Sequence, residues 1–172
     1  MAGWRGRIIL SASLLALAAC TADPKPVPIA VTAPLDTGLM AYAKAPGTGR
    51  VEGEAFMRQR GGDVVTAAGS TVYLIPVTPY TTKLVAEMQK ETNIFGPIKD
   101  YSRIDPALAE YAKETTAGAT GAFAFDGVPP GDFYVLTYVT WKIPDQYVPE
   151  GGGVAAKVTV AKGQTVRAIV TR

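Results

Sequence analysis

Thr115-Thr-Ala-Gly-Ala-Thr-Gly121-Ala-Phe123-Ala-Phe125-Asp126-Gly127-Val128-Pro129-Pro130-Gly131-Asp-Phe133 decides how the rest of this 172-residue chain is read. Phe123 and Phe125 alternate with alanine, the period of a strand with one buried face. Asp126 to Gly131 is a run of turn formers, and the apolar stretch from Phe133 to Trp141 beyond it reads as a second, more deeply buried strand. Gly121 and Gly131 stand where turns call for a positive φ that other residues adopt only at a cost. Phe123, Phe125, Phe133 and Val135 then point the same way along their strands and fill a core between two sheets. Burying an aromatic ring removes roughly 150–250 Å² from water, so packing alone accounts for them.

The same texture extends in both directions. Val51-Glu-Gly-Glu-Ala-Phe-Met57 alternates as a first strand, and Gly61-Gly62-Asp63 turns the chain toward Val64 and Val65. Ser70 to Val77 is a further strand, with Val72 and Leu74 on one face and Tyr73 and Ile75 on the other. Val154 to Val160 and Thr165 to Thr171 alternate on either side of Lys162-Gly163, which reads as a hairpin. Short strands punctuated by glycine and proline predict a small all-β sandwich over residues 51–172.

The quoted stretch resembles the Thr-x-x-x-x-x-Gly-x-Phe-x-Phe-x-Gly-Leu-Pro-Pro-Gly-x-Tyr core of carboxypeptidase regulatory-like domains, whose neighbours in fold are the transthyretin-like and Cna B-type modules. The resemblance includes Gly-Arg-Val51-Glu-Gly, Thr71-Val72-Tyr-Leu74 and Val158-Thr-Val160-Ala-Lys-Gly163-Gln-Thr. It implies a mainly β, seven-stranded Greek-key sandwich of the prealbumin-like kind. Some Cna B-type modules carry an isopeptide bond; here Asn93, the only asparagine, falls outside the strands, so none is expected. One transthyretin-like branch is hydrolytic, but it depends on histidines and a terminal tyrosine-arginine-glycine-serine signature. This chain has no histidine and ends Ile169-Val-Thr-Arg172.

Two stretches depart from that pattern. Residues 78–113 replace a short link and are too long for a bare loop in a compact domain, so a helical insertion is expected. Thr82 to Gln89 places Leu84, Val85 and Met88 at helical spacing, and Asp105-Pro106 is a start signal for a second helix. Ile94-Phe95-Gly96-Pro97-Ile98 and Tyr101 are too apolar for a free loop and are expected to pack on the sandwich or on something else. Trp141 to Gly153 holds Trp141 and Tyr147 and ends in three glycines, which reads as an adaptable surface with aromatic anchors. Capping of the core is the other reading of Trp141.

At the amino terminus Arg5 and Arg7 precede an apolar run from Ile8 to Leu17, and Leu17-Ala18-Ala19-Cys20 closes it. Positive, then apolar, then small is the order of a secretory signal, here residues 1–19, and the run is too short to span a bilayer. The closing tetrapeptide resembles the bacterial lipobox, which implies acylation of Cys20, cleavage before it, and residence in the cell envelope. Thr21 in place of aspartate implies sorting to the outer membrane. Residues 20–50, rich in proline and glycine, read as a disordered tether; Leu35 to Ala45, with Leu39, Met40, Tyr42 and Ala43, has a second reading as a segment lying on the domain or on a partner.

Removal of the leader leaves 15 basic and 15 acidic residues, without the basic excess a nucleic-acid binder needs. The absence of histidine removes His-dependent triads and zinc sites, and acylation of Cys20 removes the one thiol. No carboxylate pair stands out by spacing, so neither an enzyme nor a cofactor or metal site is expected. The sequence reads as an envelope lipoprotein, held by its lipid and engaging another envelope protein through the insertion and the aromatic loop. A module binding a small ligand or carbohydrate is the alternative. It requires Trp141, Tyr147 and either Tyr80 or Tyr101 to form an exposed aromatic platform.

Overall fold

The computed structural model describes residues 27–28, 31–59, 61–90, 99–100, 104–144 and 149–172. Along the chain run β1 (Val27–Pro28), β2 (Gly49–Arg58), β3 (Val64–Thr66), β4 (Thr71–Pro76), helix α1 (Pro79–Gln89), β5 (Lys99–Asp100), β6 (Lys113–Thr116), β7 (Ala122–Val128), β8 (Gly131–Trp141), β9 (Glu150–Val160) and β10 (Thr165–Val170). Sheet one is built on β2, which pairs parallel with β10 and antiparallel with β7 and β3. Sheet two is antiparallel in the order β6-β4-β8-β9. The result is the expected sandwich, with eight strands in its two sheets rather than seven.

Period-two alternation puts one face of every long strand into the space between the sheets. Val51, Val72, Leu74, Phe123, Phe125, Phe133, Val135, Val139, Val154 and Val170 lie there, each almost wholly buried. Gly121 takes φ +79° and a Cβ on it would stand 2.3 Å from the Ala55 carbonyl oxygen, so glycine is required at that turn.

The carboxy-terminal strands form no hairpin. β9 belongs to sheet two, whereas β10 crosses to sheet one and pairs with β2 from Thr165 opposite Arg50 to Val170 opposite Ala55. The residue count forces this. A hairpin closed over the four residues Ala161 to Gln164 would set Val158 and Val160 on the same face as Arg167 and Thr165, dragging a charge toward the core. Crossing between sheets instead buries Val158 and Val160 from one side and Ala168 and Val170 from the other.

The described part of the insertion carries helix α1 and a short 3-10 helix, which cover the outer face of sheet two. α1 begins at Pro79, three residues before the expected start at Thr82, because Thr78 and Thr81 form a reciprocal cap. Thr81 N–H donates to Thr78 Oγ1 at 3.1 Å and Thr78 N–H donates to Thr81 Oγ1 at 2.8 Å. Asp105 caps the second helix as expected, its carboxylate accepting from Ala107 N–H at 2.9 Å, but Pro106–Tyr111 is a 3-10 helix. Gly151 to Gly153, expected to end a loop, are instead strand residues of β9. A Cβ on Gly153 would lie 2.3 Å from Met88 Cγ, so the glycine lets α1 lie close on the sheet.

The stretch read as a tether is also corrected in part: from Val31 onward it lies on the domain. Gly38–Lys44 forms a 3-10 helix that buries Met40 completely against Tyr80, Leu84 and Leu108. Tyr42 packs edge-on to Phe133, donates its hydroxyl proton to the Asp132 carbonyl and accepts from Val77 N–H at 3.1 Å. Gly131, at φ +154°, makes room for that ring, since its Cβ would stand 2.4 Å from it. Proline and glycine density is a fair sign of an extended chain, but such a chain still docks where an apolar side chain finds a matching hole. Cys20 and the expected leader, residues 1–19, lie outside the described residues.

Candidate functional site

Of the concave features among the described residues, two stand at opposite settings in the fold. The first is a polar cleft of about 560 Å³ at one open end of the sandwich. Four separate segments meet there: Met57, Arg58 and Gln59 where β2 ends, Trp141 to Pro144 where β8 runs out, Glu150 and Gly151 where β9 begins, and Arg172 at the chain's last position. The β8–β9 register sets Trp141 opposite Glu150, and the indole Nε1–H donates to Glu150 Oε2 at 3.1 Å. That bond fixes the ring's orientation. Trp141 packs on the inter-sheet core while it also lines the cleft, so it is both a cap and a surface.

Arg58 and Lys142 bring positive charge to the rim with Arg172, whose guanidinium also donates to the Gln89 carbonyl at the end of α1 at 3.0 Å. Glu150 is the one carboxylate side chain in this lining, and it is occupied by the indole. A planar aromatic surface beside forked guanidinium donors and the amide of Gln59 is suited to a polar, anionic ligand with an apolar face.

The second feature is an apolar cavity of about 390 Å³ between the outer face of sheet two and the insertion. Ile75 and Leu136 form its floor, Leu84 and Met88 one wall, and Ile104 and Leu108 the other. Asp105 stands at its margin. Outside sheet one the surface is different again: Arg50 bridges Asp126 and, at 2.9 Å, Glu52, and Arg167 reaches Glu54 at 3.5 Å.

The sequence-expected contact residues fare unequally. Trp141 is half-buried and lines the cleft. Tyr80 is corrected: it is 5 % exposed, inside the cluster of Met40, Leu84 and Leu108, with its hydroxyl accepting from Asp105 N–H at 2.9 Å. A tyrosine four residues before Leu84 on the buried side of α1 serves packing, so it forms no part of an exposed platform. Tyr101 and Tyr147 lie outside the described residues, as do Asn93 and Ile94 to Ile98. Arg58, Gln59, Lys142 and Arg172 were not expected. Their one common signal is that each sits at or just past a strand end, which becomes meaningful only once the strand order is known.

Asp132 and Glu110 are carboxyls held away from their ordinary range, and both move down. The Lys157 ammonium and the Thr159 hydroxyl hold Asp132 below the usual carboxylate value, and Lys44 does the same to Glu110. Shifts in that direction make ion-pair acceptors rather than proton donors near neutral pH. Among the described residues no three metal-ligating side chains gather, and no helix is long and apolar enough to cross a membrane.

Comparison with known proteins bears first on the fold. No family model matches the chain, and no curated protein does. Among solved structures it is similar to a Pseudomonas aeruginosa protein described as a candidate carbohydrate-binding protein, at 25 % identity and a TM-score of 0.67, over 80 % of this chain and 97 % of that one. A minor pilin of Streptococcus agalactiae, GBS52, aligns at 17 % identity and a TM-score of 0.36, over 73 % of this chain and 44 % of the pilin.

Proposed function

We propose that this protein is a non-catalytic envelope module, anchored by acylation of Cys20, whose sandwich binds an acidic glycan in the Trp141 cleft. The observation that carries the reading is the setting of Trp141: an indole held in place by Glu150 inside a cleft that also receives Arg58, Gln59 and Lys142. Sugars present apolar C–H faces and polar edges, and an oriented aromatic ring with flanking charged donors is complementary to both. Uronate or sulfate groups match the cationic rim. The description of the Pseudomonas protein as a candidate carbohydrate binder supports the reading, and so do the sequence-level absence of histidine and the order of charge, apolar run and cysteine at the amino terminus. Within the insertion, Tyr80, Leu84, Val85 and Met88 of α1 turn inward, which leaves the Trp141 cleft as the contact surface of this reading.

Once the leader is removed, Trp141 is the only tryptophan, so intrinsic fluorescence reports this cleft alone. Titration of a leaderless Cys20→Ser protein, which begins at position 20 and lacks Trp4, with uronate oligosaccharides should shift its emission. Trp141→Ala should weaken binding measured by calorimetry at least tenfold, and Arg58→Ala should weaken it less, with the difference shrinking as salt is raised. Equal affinity for neutral and acidic glycans would remove the charge assignment. Full affinity in Trp141→Ala, or an envelope protein captured through Trp141 where no glycan binds, would replace the reading.

A further inference from the structure

The cavity between α1 and sheet two has no part in the glycan cleft, yet its size falls within the roughly 300–1,000 Å³ typical of ligand sites. Its walls are mainly aliphatic, with Ile75, Leu84, Met88, Ile104, Leu108 and Leu136, and the rings of Tyr73 and Tyr138 complete them. A lining dominated by aliphatic side chains, with two phenol rings among them, fits a hydrocarbon chain better than a strongly polar ligand. Asp105 at the margin is the one carboxylate in the lining, and its charge sits where the head of a bound chain would emerge. A free fatty acid would meet it with a like charge, whereas an esterified or amide-linked chain would not.

The amino-terminal segment leads to this place. Val31, Ala33 and Leu35 pack on Tyr80, Leu84 and Leu108, and Lys83 Nζ donates to Thr32 Oγ1 at 3.1 Å, so the chain runs along the cavity wall. Further back, β1 pairs with β5, four residues before the lining residue Ile104. Cys20 precedes Val27 by seven residues and Val31 by eleven, a span of at most about 25 Å and about 40 Å respectively when fully extended. Both put Cys20 within reach of the cavity mouth.

We propose that this cavity houses an acyl chain, and that its occupant is a chain carried on Cys20 of the same molecule. The inference rests on the acylation of Cys20 proposed above. It gives the domain two states: the chain in the bilayer, anchoring the protein, or the chain withdrawn under the insertion, where it is shielded from water.

Three measurements test it separately. Intact mass of the membrane-purified protein establishes the acyl groups on Cys20; their absence would overturn the anchor and the own-chain occupant together. The Cys20→Ser protein should bind a fluorescent monoacylglycerol in detergent-free buffer, and filling the space with Ala112→Phe, or separately Ala109→Trp, should weaken binding at least tenfold while the thermal transition is kept. Failure of the Cys20→Ser protein to bind would mean that the space is closed by protein and would overturn the acyl assignment with the anchor intact. In the acylated protein, a photoreactive diazirine side chain at position 88 should crosslink to the lipopeptide that begins at Cys20. Crosslinks to bulk lipid alone would overturn the own-chain occupant.

Discussion

The two faces of sheet two are both apolar and are finished in opposite ways. Inward, Val72, Leu74, Phe133, Val135, Val139 and Val154 meet the side chains of sheet one with strand-to-strand regularity, and each is buried almost without remainder. Outward, Ile75, Leu136, Tyr134 and Tyr138 meet one helix and a 3-10 turn, and a space of about 390 Å³ is left between them. A sheet facing a sheet is matched along its whole length; a short helix laid across a sheet touches along a line and leaves room on either side. Burial on the inner face builds the fold. Burial on the outer face shapes a container.

The sharpest way to break that contrast is a pair of identical truncations. Leu74→Ala on the inner face should cost about 4–5 kcal/mol, the upper end of the range for a leucine that loses every neighbour to a rigid void. Leu84→Ala, which only enlarges a space already present, should cost about 2–3 kcal/mol. Urea denaturation monitored by circular dichroism measures both, and equal costs would mean that the outer layer is packed as tightly as the core.

A smaller effect sharpens the role of the amino-terminal segment. Tyr42→Phe removes a hydroxyl that both donates to Asp132 and accepts from Val77, and should cost about 1 kcal/mol at neutral pH. Burial pushes the Tyr42 phenol above its ordinary value of 10.0, and the charge of Asp132 adds to the rise. The folded chain therefore keeps a proton that the unfolded chain gives up. The contribution of Tyr42 is complete below pH 10 and is lost as pH rises through the raised value. Thermal melts between pH 8 and about 11.5 should show the wild type losing stability faster than Tyr42→Phe, so that the two converge. Parallel curves would detach the Tyr42 hydroxyl from the stability of the fold.

How much of this was open to the sequence differs by scale. Strand positions were legible because Phe123, Phe125, Val72 and Leu74 announce their faces at a period of two residues. The sheet to which β10 belongs was legible too, in the parity of Val160 against Thr165 across four residues, but a glycine turn between two alternating runs invites the hairpin reading first. Thr78 hides its capping role because Thr81, rather than a glutamate, completes the reciprocal pair. For Met40 and Tyr42 the sequence left tether and docked segment both open, and the choice follows only from the hole beside Leu108 and the bare face of Gly131. The cleft was out of reach. Arg58, Lys142 and Arg172 lie up to 114 positions apart and meet only because three strands end at the same edge.

The difference between the two faces is accessible to one direct measurement. Xenon enters dry apolar cavities and perturbs the methyl groups that line them, so methyl NMR spectra of the Cys20→Ser protein, recorded with and without xenon pressure, read both faces at once. Shifts confined to Leu84, Met88, Ile104 and Leu136, with Val72, Val135 and Val154 unmoved, are the predicted result. Unmoved outer-face methyls, or equal shifts on the two faces, would contradict it.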